Sequence, residues 1–189
     1  MRIISGSAKG RTLKAPSWEG LRPTSDRLRE TLFNILGPRL DGQRVLDVFA
    51  GTGAIGLEAL SRGAVAAVFV EQDRRAAALV AENAARCGAS ERCVIIRLAA
   101  ETALARPVPG GPFDVVVLDP PYDHARLDEV VRAAAGLVAP GGRLVLEHAW
   151  RRQAPEPAGT RRTRTVRAGD SALSFYERVP AAAEGSDDR

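Results

Sequence analysis

Residues 45–56 constrain this chain more than any other stretch: an apolar strand, Val45-Leu46-Asp47-Val48-Phe49-Ala50, runs into Gly51-Thr52-Gly53-Ala54-Ile55-Gly56 and from there into a helix. Side-chain-free positions let backbone approach a ligand closely, and in open α/β folds ligands bind at the carboxyl edge of the sheet. From Arg44 to Glu147, short apolar runs alternate with Ala-rich stretches. This pattern predicts strands near 44–49, 66–71, 93–97, 113–118 and 143–147. Helices are expected near 54–62, 73–86, 99–105 and 125–138, the last stopped by Pro140-Gly141-Gly142. Repeated strand-helix-strand units of this kind build a mostly parallel, doubly wound α/β sheet.

The flanks read differently. Residues 2–5 and 11–14 bracket Gly6-Ser7-Ala8-Lys9-Gly10 as an N-terminal β-hairpin extension, and Thr24 is placed to cap a helix running to about Leu36. Residues 163–167 and 172–178 flank Ala168-Gly169-Asp170-Ser171, a C-terminal hairpin extending the sheet antiparallel. The expected division is 1–39 as an N-terminal extension, 40–179 as the catalytic domain and 180–189 as a small, charged, disordered tail. There are no internal repeats. No apolar run nears the ~20 residues of a membrane span, and the N-terminus lacks a signal peptide's apolar core, so a cytoplasmic protein is expected. Cys87 and Cys93, with five residues between them, suit neither a zinc site nor a redox pair and are read as buried reduced thiols, with no metal implied.

The formal charge of +4 is unevenly spread. Residues 1–39 carry eight Lys/Arg against three Asp/Glu, residues 40–150 eleven against fourteen, and 151–178 seven against three. Gathered cations release counterions from nucleic-acid phosphates, so the basic ends admit an RNA partner; an Arg-rich solvated surface is the plain alternative.

Twenty residues beyond Gly51, Glu71 ends the second predicted strand. An acid there can accept both ribose hydroxyls of an adenosine. Gly51-x-Gly53-x-x-Gly56 also fits a dinucleotide fingerprint, which leaves an NAD-dependent oxidoreductase open. Asp47 tilts the reading, because a carboxylate there would repel a pyrophosphate but pair with the cationic sulfonium or amino group of S-adenosyl-L-methionine. Asp47 could also simply brace the loop through backbone N–H groups.

The buried-strand run 113–118 delivers Asp119-Pro120-Pro121-Tyr122 to the same edge. Two prolines fix φ and remove two donors, making a rigid turn. An exocyclic base amine is a poor nucleophile because its lone pair is delocalised. If Asp119 and the Pro120 carbonyl each accept one N–H, the lone pair is aimed at a methyl donor, with Tyr122 stacked on the base. The motif answers to an exocyclic amine without naming the base, so adenine or cytosine in other RNA or DNA stays open. A noncatalytic RNA-binding module would not need the carboxylate.

The stretches 22–36, 47–64 and 119–122 together resemble the bacterial 16S ribosomal RNA guanine-N2 methyltransferases, a likeness running from Arg2 to about Val179. The resemblance implies a Rossmann-like methyltransferase fold and S-adenosyl-L-methionine as donor. It implies methylation of a guanine N2, of the guanine 966 type, in small-subunit RNA on an assembled particle; the expected partner is 16S ribosomal RNA or the 30S particle, and a monomer is expected. Asp119, Pro120 and Tyr122 would be catalytic. Asp47, Phe49, Gly51, Gly53, Glu71 and Asp119 would bind the cofactor, and Lys9, Arg11, Arg22, Arg27 and Arg29 the RNA. One departure is Leu98-Ala99-Ala100 where members often carry a polar side chain for adenine; backbone groups or Glu101 would serve instead.

Other residues read as structural. Glu58 is expected to be buried or capping, Asn83 to bond neighbouring backbone, and His124 and His148 to be solvated. In an extended strand Arg162 and Arg164 share one face and Arg161 and Arg167 the other, so no face gathers all four.

Overall fold

The structure, a computed structural model, describes residues 1–18 and 26–179. Arg22, Thr24 and the expected tail at 180–189 lie outside the described residues. The elements run α1 (Asp26–Leu36), β1 (Arg44–Val48), α2 (Ala54–Ser61), β2 (Ala66–Val70), α3 (Arg74–Arg86), β3 (Cys93–Ile96), α4 (Ala100–Leu104), β4 (Phe113–Leu118), α5 (Leu127–Gly136), β5 (Val138–Ala149), β6 (Thr160–Ala168) and β7 (Ser171–Arg178).

They form a seven-stranded sheet of order β3-β2-β1-β4-β5-β7-β6, in which β1 to β5 are parallel and β7 and β6 return antiparallel. The strands of the middle are mostly apolar because both faces are covered, with Asp47 in β1 and Asp114 in β4 as exceptions. Alternate residues of β1 feed two cores. Val45 joins Leu32, Phe33, Leu57, Leu60 and Val80 on the α1–α3 side, while Leu46 and Val48 join Leu104, Val130 and Val131 on the α4–α5 side.

The N-terminal hairpin is minimal. Arg2 and Thr12 form one antiparallel bridge, and Ile3 N donates to Arg11 O at 3.0 Å. It lies against α2 so closely that a Cβ at Gly6 would sit 1.8 Å from the Ser61 carbonyl oxygen. Glu58 holds it there, accepting Ile4 N at 2.7 Å and Ser5 N at 3.0 Å. Ser61 Oγ accepts Ala8 N at 2.9 Å. Asn83 bonds backbone as expected, but backbone distant in sequence: Lys14 N at 2.7 Å and Thr52 O at 3.0 Å.

Three expectations change. Helix α5 ends at Gly136, before the predicted stop, and Pro140-Gly141-Gly142 fall inside β5, where the pairing with β4 shifts register between Phe113 and Val115. The cysteines are free thiols, yet only half-buried. In β6 a bulge between Arg162 and Arg164 re-sorts the arginines: Arg161 and Arg164 pair with Glu177 and Phe175, Arg162 and Arg167 with Tyr176 and Ala172. An extra residue flips every side chain after it to the other face, so the arginines that share a face are Arg161 with Arg164 and Arg162 with Arg167.

Candidate active site

The carboxyl ends of β1, β2 and β4 open into a cleft of about 800 Å³ lined by Asp47, Phe49, Gly51, Glu71, Asp119 and Tyr122 among others. The turn after β1 is built on left-handed backbone: Phe49 at φ 65°, Gly51 at 57° and Gly53 at 77°. For glycine this is free, whereas for Phe49 it costs on the order of 1–3 kcal/mol, strain that persists only where surroundings over-determine the conformation. The surroundings do so here: Ala50 N donates to Val70 O at 3.0 Å, and the Phe49 ring meets His124 edge-on with centroids 5.1 Å apart. The third glycine serves packing, since a Cβ on Gly56 would lie 2.3 Å from the Phe69 ring.

Glu71 binds the loop from the end of β2. Its Oε2 accepts Gly51 N at 2.8 Å and its Oε1 accepts Asp73 N at 2.8 Å. Two oxygens offer about four lone-pair sites, so two remain for a ligand's hydroxyls. Asp47 is 1% exposed and its Oδ2 accepts Gly56 N at 2.9 Å, the bracing role. Burial pushes its carboxyl up to about 8, the Gly56 N–H pulls it down, and the charges of Asp119 and Glu71 raise it further.

Val48 O accepts Asp119 N at 3.3 Å, tying the Asp119-Pro120-Pro121-Tyr122 turn to β1. His124 N donates to Pro121 O at 3.0 Å and Arg152 Nη1 to Tyr122 O at 3.1 Å. Pro120 is buried and Tyr122 exposed. The Tyr122 hydroxyl hydrogen-bonds Ser171 and donates to Glu147 Oε1 at 3.4 Å.

Glu147 is the acid sequence reasoning missed. It is 8% exposed, hydrogen-bonds Asp119 and is pushed up to about 8 by burial, then by the bond to Asp119 and its charge, against the Ser171 and Tyr122 hydroxyls. A signal existed: an acid closing the apolar run Leu144-Val145-Leu146 at the carboxyl end of β5, the same position that marked Asp47 and Asp119 on their strands.

Both histidines depart from expectation. His124 is held between Phe49 and Glu101, its Nε2 3.0 Å from Glu101 Oε1. His148 is buried, its Nε2 2.9 Å from Ser174 Oγ and its Nδ1 3.0 Å from Ala149 O, and burial lowers its pKa.

Of the basic residues named from sequence, Lys9, Arg11 and Arg27 are exposed and Arg22 lies outside the described residues. Arg29 is a correction. It is 0% exposed, donates to Arg2 O at 2.9 Å and Asp26 Oδ1 at 2.7 Å, and stands 3.7 Å from Glu58 Oε2, an ion pair without a hydrogen bond. A guanidinium turned into the core beside the buried Glu58 is a structural cation, out of reach of phosphate.

Fold and cleft together define a Rossmann-like, S-adenosyl-L-methionine-dependent methyltransferase. The donor set fits that cofactor: a carboxylate with spare lone pairs for hydroxyls, a glycine turn for close approach and a buried acid lining the same cleft. The chain belongs to the family described as Conserved hypothetical protein 95, whose model matches residues 1–177. It is 39% identical over 164 residues to YlbH of Bacillus subtilis, covering 84% of this chain and 88% of that one. Over 131 residues it is 44% identical to Ribosomal RNA small subunit methyltransferase D of Escherichia coli, covering 69% of this chain and 65% of that protein, slightly under two thirds. The solved structure of yhhF from Escherichia coli superposes with a TM-score of 0.84 at 35% identity, covering 95% of this chain and 98% of that one. These relatives set the glycine loop in a methyltransferase and the oxidoreductase reading falls away.

Among the described residues, no cluster of three or more His, Cys, Asp or Glu could hold a metal ion. No helix among them is long and apolar enough to cross a membrane.

Proposed function

We propose that this protein methylates the exocyclic N2 of a guanine in small-subunit (16S) ribosomal RNA, of the guanine 966 type, within an assembled particle. The observation that carries this reading is the convergence of Asp119-Pro120-Pro121-Tyr122 with the Glu71-held glycine loop in one cleft, in a chain 44% identical to an rRNA small-subunit methyltransferase.

S-adenosyl-L-methionine supplies an electrophilic methyl group on a cationic sulfur that leaves as a neutral thioether. The chain's own residues do the rest. Glu71 would hold the ribose hydroxyls, the turn at Phe49, Gly51 and Gly53 would admit the cofactor to backbone contact, and Asp47 would supply negative charge to its cationic end. Asp119 and the Pro120 carbonyl each accept one N–H of the guanine amine, which sets its lone pair toward the methyl carbon. The rigidity of the Pro120-Pro121 turn means this alignment costs little when the base arrives. Tyr122, exposed over the cleft, stacks on the base, and the proton displaced from N2 leaves through Asp119 to solvent. Residues 40–179 carry the chemistry in this reading. Residues 1–39 carry RNA contacts through Lys9, Arg11 and Arg27, with Arg22 assigned on sequence alone; the protein acts as a monomer.

Asp119→Ala is expected to lower methyl transfer about 1,000-fold, as loss of a preorganised acceptor at the reacting atom does, while cofactor affinity stays within about threefold. Glu71→Ala should instead weaken cofactor binding about tenfold or more, at ~1.5–3 kcal/mol for hydrogen bonds to a charged group. Single-turnover transfer and titration calorimetry separate the two. Near-normal turnover of Asp119→Ala would contradict the mechanism.

A further inference from the structure

A second acid reaches the end of the cleft where Asp119 stands. Glu147, brought there by the β5 register Leu146 beside Leu118, is 8% exposed and lines the cleft. Its Oε1 faces the Tyr122 hydroxyl, its Oε2 is buried without an N–H or hydroxyl hydrogen bond among the described residues, and its carboxyl contacts that of Asp119. Burial, and then the contact with Asp119, push the Glu147 carboxyl up to about 8, so at neutral pH Glu147 carries the proton that lies between the two carboxyls. With that proton lying between them, the lone pairs that Glu147 Oε1 leaves for a ligand are acceptors only.

The bases differ at the atom beside their amine. In guanine the N2 amine adjoins a ring N–H, two donors side by side. In adenine and cytosine the amine adjoins a ring nitrogen that carries a lone pair. We propose that Glu147 is a specificity-determining residue of this site, accepting the guanine N1–H while Asp119 accepts an N–H of N2. Adenine or cytosine would set its ring lone pair against the Glu147 oxygen. This rests on the guanine-N2 reading above and goes beyond it by naming the group that chooses the base. Bidentate recognition of this kind discriminates by about 10–100-fold.

The probe is 2-aminopurine, which keeps the N2 amine but carries a lone pair at ring N1. Small-subunit particles are reconstituted with guanine or 2-aminopurine at the methylated position, and methyl transfer is compared for wild type, Glu147→Leu and Glu147→Gln. Wild type should prefer guanine by about 10–100-fold. Glu147→Leu removes the acceptor, and its preference should collapse to within about threefold with cofactor affinity unchanged. Glu147→Gln should retain the preference, since its amide N–H2 can donate to Asp119 as the shared proton does and its carbonyl can accept N1–H. Loss of the 6-oxygen is common to all three enzymes, so the change in ratio isolates the ring nitrogen. A purely structural Glu147 would slow both substrates alike. An unchanged ratio in a Glu147→Leu protein that binds cofactor, or a lost preference in Glu147→Gln, overturns the proposal alone. If Glu147→Leu fails to bind cofactor, Glu147→Met takes its place under the same criterion. No guanine methylation by wild type overturns the functional reading and this proposal with it.

Discussion

Burial makes Asp47 and Glu147 weak acids, both pushed up to about 8, and that has consequences for ligand binding. A cation brought beside a buried carboxyl favours its ionised form, so cofactor binding below pH 8 must expel a proton. Affinity for S-adenosyl-L-methionine should therefore rise between pH 6 and pH 8, by up to about tenfold per pH unit for one linked proton, and level off above. S-adenosylhomocysteine, which lacks the sulfonium charge, should change less. Calorimetry in buffers of different ionisation enthalpy counts the protons directly; equal pH profiles for the two ligands would argue against Asp47 as the cation's partner. Stability of the unliganded protein moves the other way. The folded chain retains protons that the unfolded chain has released, so these two acids reduce stability as pH rises from the ordinary carboxylate range to about 8.

At the scale of elements, α2 is where the N-terminal hairpin, α1 and the cofactor loop meet. Glu58 on α2 is 0% exposed and receives Ile4 N, Ser5 N, Arg62 Nε at 2.8 Å and, at 3.7 Å, the Arg29 guanidinium. Replacing it by Ala leaves Arg62 Nε and two backbone N–H groups without their acceptor and takes a carboxylate from beside the buried Arg29, which keeps Asp26 and Arg2 O. The expected cost is about 3–5 kcal/mol, the range for breaking a buried pair by removing one partner. Urea unfolding measures it, and a loss under about 1 kcal/mol would mean that water reaches the cluster. The parallel strands and their helices were legible because each is long enough to show its period, and Glu58's burial followed from its place on an apolar helix. Arg29 was not legible: position 29 lies on the amphipathic α1, and its turn toward the core depends on Glu58 from another helix. The β6 bulge was equally hidden, since strand alternation carries no mark of one extra residue. His124 and His148 were missed for the same reason, their partners Glu101 and Ser174 being remote in the chain.

At the scale of the whole molecule, the sheet order places the glycine loop of β1, the acid of β2 and the motif after β4 side by side, because β1 stands between β2 and β4. Residues 47–122 thus spell out the cleft in sequence, and Asp47, Gly51, Glu71 and Asp119 could be named from spacing alone. Glu147 and Ser171 enter from β5 and β7, and the antiparallel return that pairs Glu147 with Leu173 brings Ser171 to Tyr122. The most direct test of the central claim is transfer of labelled methyl from S-adenosyl-L-methionine to small ribosomal subunits from cells lacking this protein, followed by nucleoside analysis. The account predicts label in N2-methylguanosine from one position; label in another nucleoside, or no transfer to any RNA or particle by protein that binds the cofactor, would contradict it.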